Sequence, residues 1–187
     1  MWHVSGTFLA RFRVQDSCTR SFDHVCELQD VSFRVTCAND SSLNVVTIEP
    51  SGLVIDISPI EREVDGLIVG AEVADLDADS SPEINVYISS AGSGSYGSLV
   101  AYAANDNQSL SEIYLPPLTE ESEISKGNMG HDEFAVVETT FVRRFPVYRE
   151  GDVNPDPIGG SRQLQYRLEP GEAGWTLRLD KRQDFEE

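Results

Sequence analysis

Short runs rich in β-branched and aromatic residues follow one another along most of this chain, and Gly, Pro, Asp and Ser cluster between them. The runs recur at spacings of roughly 8–15 residues, which is typical of antiparallel all-β domains. They are Val31–Val35, Val45–Ile48, Val54–Ile57, Leu67–Val73, Ile84–Ser89, Leu99–Ala104, Glu112–Leu115, Phe134–Val137, Phe141–Val147, Arg162–Leu168 and Trp175–Leu179. No segment keeps a helical period for more than about two turns. We therefore predict an all-β fold, an antiparallel β-sandwich of roughly eight to ten strands, with a small closed β-barrel as the alternative.

The first part of the chain lacks this alternation of strands and turns. Residues 1–26 are predicted to be an N-terminal extension, weakly ordered or processed, and residues 27–187 a single β domain. Arg11 and Arg13 interrupt the short apolar stretch near the start, so no secretory signal peptide is visible. No run approaches the ~18 apolar residues of a membrane span, so membrane insertion is not expected.

The charge of the chain is strongly negative. Fourteen Lys and Arg residues stand against thirty-two Asp and Glu residues, a formal net charge of −18. Two basic and seventeen acidic residues lie between positions 51 and 140, so this middle part carries most of the excess. Such a field repels phosphate backbones and anionic lipid surfaces, which argues against nucleic-acid and membrane partners. A solvated surface, a cation or a basic protein partner remains compatible with it.

The three cysteines cannot all pair within the chain, and they lie close to its beginning at Cys18, Cys26 and Cys37. At most one disulfide can form, for instance between Cys18 and Cys26, so a disulfide scaffold is excluded. Cys18, His24 and Cys26 lack the compact spacing and the fourth ligand of a structural zinc site.

A glycine-serine segment follows the run Ile84–Ser89. Gly92, Gly94 and Gly97 match the G-x-G-x-x-G pattern of dinucleotide sites, but a helix must begin there to receive the phosphates, and β-forming residues follow instead. Two interpretations remain. The segment is a flexible hairpin tip, or it is a recognition loop in which Ser93 offers a hydroxyl and Tyr96 a rigid aromatic anchor.

Alternating aspartates form a second candidate site. Asp75, Asp77 and Asp79 have the D-x-D-x-D spacing that begins a calcium loop, and Glu83 follows. Ser80 stands where that loop needs glycine, and no glutamate occupies its twelfth position. A polar turn between two strands and a weak calcium site therefore both stay open, and no other cofactor is expected.

Carboxylates also cluster around His131. Asp132 and Glu133 follow it directly, and Glu138 lies five residues beyond Glu133. Paired carboxylates can hydrolyse glycosidic bonds when they lie roughly 5–10 Å apart. So many acids occur in the chain that such a pair is a weak signal, and no Ser or Cys nucleophile motif accompanies His131. We do not expect an enzyme.

Two adjacent arginines, Arg143 and Arg144, lie in a strand-like run. Successive side chains of a strand point to opposite faces, so the two cannot form one basic patch. Internal ion pairs with the acidic middle of the chain are the expected use.

Several short blocks, in order along the chain, resemble the periplasmic inhibitors of invertebrate-type lysozyme. The blocks are GAEVADLDADSSPE at 70–83, SAGSGSYGSLVAY at 90–102, LSEIYLPP at 110–117, MGHDEFAVVE at 129–138, VRRFPVY at 142–148, GGSRQLQY at 159–166 and GEAGW at 171–175. The resemblance covers about residues 27–182, and it does not extend over residues 1–26.

This resemblance implies a β-sandwich, often a homodimer, that is located in the periplasm of bacteria and has no catalytic activity of its own. It also implies that a Ser-Gly-x-Tyr loop enters the substrate cleft of a lysozyme. The corresponding loop is Gly92, Ser93, Gly94, Ser95 and Tyr96. Ser93 and Tyr96 would hydrogen-bond the catalytic carboxylates of the enzyme, and the glycines would let the backbone fit.

Overall fold

The computed structural model of this protein describes residues 21–118, 122–153 and 156–186. Within those ranges it contains twelve β-strands and no helix. The strands are β1 Phe22–Leu28, β2 Val31–Cys37, β3 Leu43–Ser51, β4 Ile60–Asp65, β5 Leu67–Ala74, β6 Glu83–Ser89, β7 Gly97–Asn105, β8 Ser109–Tyr114, β9 Glu133–Val137, β10 Thr140–Pro146, β11 Ser161–Pro170 and β12 Trp175–Phe185. The all-β prediction is confirmed.

Four predictions differ from the structure, and the first is the strand count, which exceeds the expected eight to ten. Strand β1 begins at Phe22, so residues 22–26 belong to the folded domain and not to an extension over 1–26. Strand β4 was not predicted because charged residues fill most of it. The run Val54–Ile57 is a loop, in which the Val54 amide donates to the Asn107 carbonyl at 3.0 Å. The sequence predicts a strand there because three of its four residues are β-branched and apolar.

Strands β1 to β4 form an antiparallel sheet in that order. Their side chains alternate between a buried and an exposed face, as the period of two in a strand requires. In β2, Phe33 and Val35 are fully buried, whereas Arg34 between them is exposed. On the exposed face Val45 lies opposite Glu63. This sheet therefore has one buried apolar face and one exposed face that mixes charged and apolar side chains.

The other eight strands form a sheet in the order β5-β6-β7-β8-β12-β11-β10-β9. All neighbours are antiparallel except β8 and β12, which are parallel over a short stretch where Ile113 lies opposite Trp175. The sheet is nearly closed, because a carboxylate joins its two edge strands. Glu72 of β5 accepts a hydrogen bond from the Val136 amide of β9 at 2.9 Å and one from the Tyr87 hydroxyl at 2.6 Å.

Two apolar cores share strands β5, β6 and β7 of the large sheet. The first core lies between the two sheets, and the second fills the interior of the nearly closed sheet. Ile84 and Val86 of β6 belong to the first core, and Tyr87 of the same strand belongs to the second. Consistent with burial on both faces, every residue of β6 from Glu83 to Ile88 is buried.

A buried arginine fixes the turn at 122–126. The Arg162 side chain is 7% exposed, and it forms a two-pronged ion pair with Asp184 in which Nε lies 2.7 Å from Oδ1. Its Nη1 group donates to the carbonyls of Glu123, Ile124 and Lys126 at 3.1, 2.9 and 3.0 Å. The arginine thus supplies donors to three carbonyls that no strand pairs.

Two cysteines lie within the described part of the chain. Cys26 and Cys37 are both buried, and no disulfide joins them to each other. The Cys26 thiol donates to the Ala71 carbonyl at 3.6 Å, and burial raises its pKa. Cys18 lies outside the described residues, so the pairing of Cys18 with Cys26 stays a prediction.

Candidate functional site

The glycine-serine segment is the connection between β6 and β7, and residues 92–96, the recognition loop, form its tip. Two hydrogen bonds close its base, because the Ser90 amide donates to the Tyr96 carbonyl and the Tyr96 amide donates to the Ser90 hydroxyl, both at 2.9 Å. A tight turn forms the tip, where the Ser95 amide donates to the Gly92 carbonyl at 2.9 Å. Ser95, the last residue of this turn, has a φ of 45°, a left-handed conformation.

The tip of the recognition loop is exposed and uncharged. Tyr96 is 52% exposed, Ser93 is exposed, and no charged residue occurs between positions 84 and 105. Strand β7 begins at Gly97, immediately after the loop, so no helix N-terminus is available to receive a phosphate. The structure therefore places the five predicted residues in one protruding loop and gives no support to the dinucleotide interpretation.

A second segment, residues 128–132, packs directly against the recognition loop. The His131 amide donates to the Gly94 carbonyl at 2.7 Å. The two backbones approach so closely that a Cβ atom at Gly130 would lie 1.7 Å from the Gly94 oxygen. Gly130 also has a φ of 96°, so both space and conformation require glycine there.

Asp132 anchors this second segment. Its side chain is fully buried and pairs with Arg143, whose Nε lies 2.7 Å from Oδ1. Its other oxygen accepts a hydrogen bond from the Gly97 amide at 2.8 Å. Asp132 is thus engaged inside the protein, whereas Glu133 and Glu138 are exposed. The carboxylates that the sequence grouped around His131 therefore have different environments.

The two adjacent arginines point in opposite directions, as predicted for a strand. Arg143 pairs with Asp132, and its guanidinium lies over the Phe134 ring at 5.6 Å. Arg144 donates through Nη2 to the Ser161 hydroxyl at 2.8 Å. Among the residues that the structure describes, Arg143 forms the expected ion pair with the acidic middle of the chain, and Arg144 forms none.

The aspartate loop connects β5 to β6 and gathers three carboxylates. One oxygen from each of Asp75, Asp77 and Glu83 lies within 4.8 Å of the others. Asp79 is not part of this group. Its Oδ1 accepts a hydrogen bond from the Ser81 amide at 2.6 Å. No other group of His, Cys, Asp and Glu in the described ranges comes so close together. Three of the four residues that the sequence predicts as calcium ligands therefore lie together, and Asp79 does not.

Glu83 is the buried member of this carboxylate cluster. It is 1% exposed, and its Oε2 accepts a hydrogen bond from the Leu76 amide at 2.6 Å. Burial, and to a lesser extent the neighbouring carboxylates, raises the pKa of Glu83 to about 8. Burial and the charge of Asp79 also raise the pKa of Asp77. Such a cluster can hold a proton at neutral pH or take up a cation, which would favour the ionised carboxylates.

The sequence predicts the loop and the acidic cluster, but it does not predict a long-range contact of Asp132 or an apolar groove. The contact of Asp132 with Gly97 joins residues 35 positions apart, and nothing in the local sequence indicates it. An apolar groove at the junction of β8 and β12 was also missed, and it encloses about 960 Å³ beside Tyr114, Pro117 and Trp175. Its lining comes from separate strands, so no single motif marks it.

The described residues include no helix long and apolar enough to cross a lipid bilayer. In comparisons with known proteins, no family model matches this chain and no curated protein is significantly similar to it.

Proposed function

We propose that this protein is an inhibitor of a lysozyme, of the invertebrate type, and that it blocks the enzyme by inserting the recognition loop into the substrate cleft. The observation that carries the proposal is a neutral, protruding loop that presents Ser93 and Tyr96 and is held by hydrogen bonds at its base. The resemblance of several sequence blocks to inhibitors of this class supports the same conclusion. We propose no catalytic activity for the protein itself.

The chemistry of the recognition loop suits an acidic cleft. A glycosidase of this kind carries two carboxyl groups at its active site. The hydroxyls of Ser93 and Tyr96 can donate to carboxylates, and such charge-assisted hydrogen bonds are strong where water is excluded. Since the loop has no charge, it brings no second negative group towards those carboxylates.

The charge of the remaining protein suits a basic enzyme. The chain carries a net charge of −18, although the recognition loop is neutral. Opposite net charges accelerate the encounter of two proteins, whereas the close contacts set the dissociation rate. Salt screens the attraction, so the association rate should fall as the salt concentration rises.

The first test is lysis of bacterial cell walls by an invertebrate-type lysozyme, with and without this protein. We expect inhibition, and Tyr96→Ala should weaken it by at least ~2 kcal/mol, or about thirtyfold in the inhibition constant, because a central aromatic anchor is lost. Tyr96→Phe keeps the ring and removes only the hydroxyl, so it separates the two contributions.

Tyr114→Ala is the matched control for this test. Tyr114 is 57% exposed but lies on β8, outside the recognition loop, so its replacement should leave the inhibition constant unchanged. Equal losses for the two alanine variants, or no inhibition by the unmodified protein at micromolar excess over a panel of lysozyme types, would contradict the proposal.

Location and assembly are further parts of this proposal, and they rest on the resemblance alone. We propose a periplasmic protein of bacterial defence that forms a homodimer. Fractionation of the source cells tests the location, and sedimentation equilibrium of the purified protein tests the dimer.

The carboxylate cluster favours a second candidate function, calcium-dependent binding. Three carboxylate oxygens within 4.8 Å are a ligand set for a hard cation. We expect calcium at millimolar concentration to raise the melting temperature, and to do so more strongly at alkaline pH, where Glu83 is ionised.

Two aspartate variants make the calcium experiment specific. Asp77→Asn removes a member of the cluster and should abolish the calcium-dependent shift in melting temperature. Asp79→Asn is the matched control, because Asp79 lies in the same loop but outside the cluster, and it should retain the shift. The absence of any heat of binding in calorimetry would remove this candidate.

A further inference from the structure

We infer that Asp132 is a positioning residue that orients the recognition loop, through a buried brace formed with Arg143 and Asn128. The inference rests on the proposed function, because it assumes that the loop is the binding element. It adds residues of the second segment to the binding machinery, although they lie in a different part of the sequence.

The brace is a set of hydrogen bonds that converge on one carboxylate. Asp132 Oδ2 accepts from the Gly97 amide at 2.8 Å. Asp132 Oδ1 accepts from Arg143 Nε at 2.7 Å and from Asn128 Nδ2 at 3.3 Å. Asn128 in turn accepts from the Gly130 amide at 2.6 Å, which closes the turn that carries the aspartate.

The Gly97 amide, which donates to Asp132, lies at a point where no described neighbouring strand can accept its hydrogen bond. Strand β8 pairs with β7 over Tyr102–Asn105, so among the described strands the β8-facing edge of β7 has no neighbour at Gly97. Gly97 directly follows Tyr96, the last residue of the recognition loop. A carboxylate at this point therefore fixes the direction in which the chain leaves the loop.

A second contact holds the middle of the recognition loop. The His131 amide, next to Asp132, donates to the Gly94 carbonyl at 2.7 Å. Neighbouring residues of one segment thus fix the loop at Gly94 and at Gly97, and Ser95 and Tyr96 lie between the two fixed points. The orientation of Tyr96 is set by these two contacts.

Stability alone is a poor explanation for this arrangement. The side chains of Asp132 and Arg143 are 0% and 7% exposed, so both charges are removed from water. Replacing such a pair by apolar residues of similar volume often leaves stability unchanged or increases it, because the desolvation cost disappears. An apolar pair would, however, leave the Gly97 amide without its acceptor.

The test therefore measures stability and the hydrogen bond of the Gly97 amide separately. In the double variant Asp132→Leu with Arg143→Met, the apolar side chains replace the ion pair, and the melting temperature should be retained. Hydrogen exchange of the Gly97 amide, measured on the free protein, should accelerate at least about tenfold, as expected for the loss of one charge-assisted hydrogen bond. The inhibition constant should rise by a similar factor.

Two further variants keep the result interpretable if the double variant does not fold. Asp132→Asn preserves an acceptor oxygen. In this variant the Gly97 amide should exchange at a rate between those measured in the unmodified protein and in the double variant. Glu133→Gln changes the exposed neighbouring carboxylate and should alter neither exchange nor inhibition.

The outcomes distinguish this inference from the proposed function. Unchanged exchange at Gly97 in both Asp132 variants overturns the brace, whatever the protein inhibits. Accelerated exchange with an unchanged inhibition constant also overturns it, because the loop would then bind without its support. If the unmodified protein inhibits no lysozyme, the proposed function fails, and exchange in the free protein still decides whether Asp132 orients the loop.

Discussion

At alkaline pH, Glu83→Gln is expected to raise the free energy of unfolding by several kcal/mol. The pKa of this buried carboxyl is about 8 in the folded protein, against an ordinary value of 4.5. Between these two values the folded protein holds a proton that the unfolded chain has lost. The stability of the unmodified protein therefore falls as the pH rises through this window, by up to ~5 kcal/mol at its upper end.

Glutamine removes the titration and keeps the local contacts. Its side-chain oxygen can accept from the Leu76 amide, and its amide hydrogens can donate to the carboxylates of Asp75 and Asp77, which face it in the cluster. The variant and the unmodified protein should have similar stability near the lower end of the window and diverge as the pH rises.

Urea unfolding at mildly acidic and mildly alkaline pH measures this difference. Glu63→Gln serves as the control, because Glu63 is exposed on β4 and its replacement should leave the pH dependence unchanged. Parallel pH profiles for the Glu83 variant and the unmodified protein would show that the carboxyl titrates normally.

Arg162→Met is expected to destabilise the protein by about 3 kcal/mol, because the hydrogen bonds and the ion pair of a buried guanidinium are lost. The arginine satisfies the carbonyls of Glu123, Ile124 and Lys126, and it pairs with Asp184. The guanidinium also holds the pKa of Asp184 well below its usual range. Methionine fills most of the volume but donates no hydrogen bond.

Arg182→Met is the matched control for this prediction. Arg182 also contacts the Glu123 carbonyl and Asp184, but its side chain is 36% exposed. Water can replace an exposed arginine, so we expect its loss to cost less than about 1 kcal/mol in urea unfolding. Equal destabilisation by the two variants would show that the burial of Arg162 does not increase its contribution to the free energy of unfolding.

The sequence predicted the strands whose residues are apolar or alternate cleanly, and it failed where these patterns mislead. The clean alternation at Trp175–Leu179 lies in β12, and the apolar run at Ile84–Ser89 lies in β6. The run Val54–Ile57 is a loop, because all four of its residues are exposed and its amides donate to the carbonyls of Asn107 and Gln108 and not to a strand. In β4 the charged side chains conceal a strand that is held by pairing with β3.

The candidate sites show the same division between local and distant information. Glycine and serine at 92–95 are sufficient to predict a protruding loop, since that property depends on local conformation. The aspartate spacing predicts the cluster. In the structure, however, Asp79 accepts a hydrogen bond from the Ser81 amide and lies outside the cluster, and Glu83 is buried. Spacing fixes which residues share a loop, but the direction of each side chain depends on backbone turns such as the left-handed φ of 62° at Ala78.

The nearly closed sheet has a consequence for the order of folding. Strands β5 to β8 are joined by consecutive antiparallel pairings, and so are β9 to β12, so each half can form from contacts that are local in sequence. The halves meet through the pairing of Ile113 with Trp175 and through Glu72 with Val136. The recognition loop belongs to the first half and Asp132 to the second. We therefore expect the loop to reach its final orientation only in the last step of folding, when the halves close.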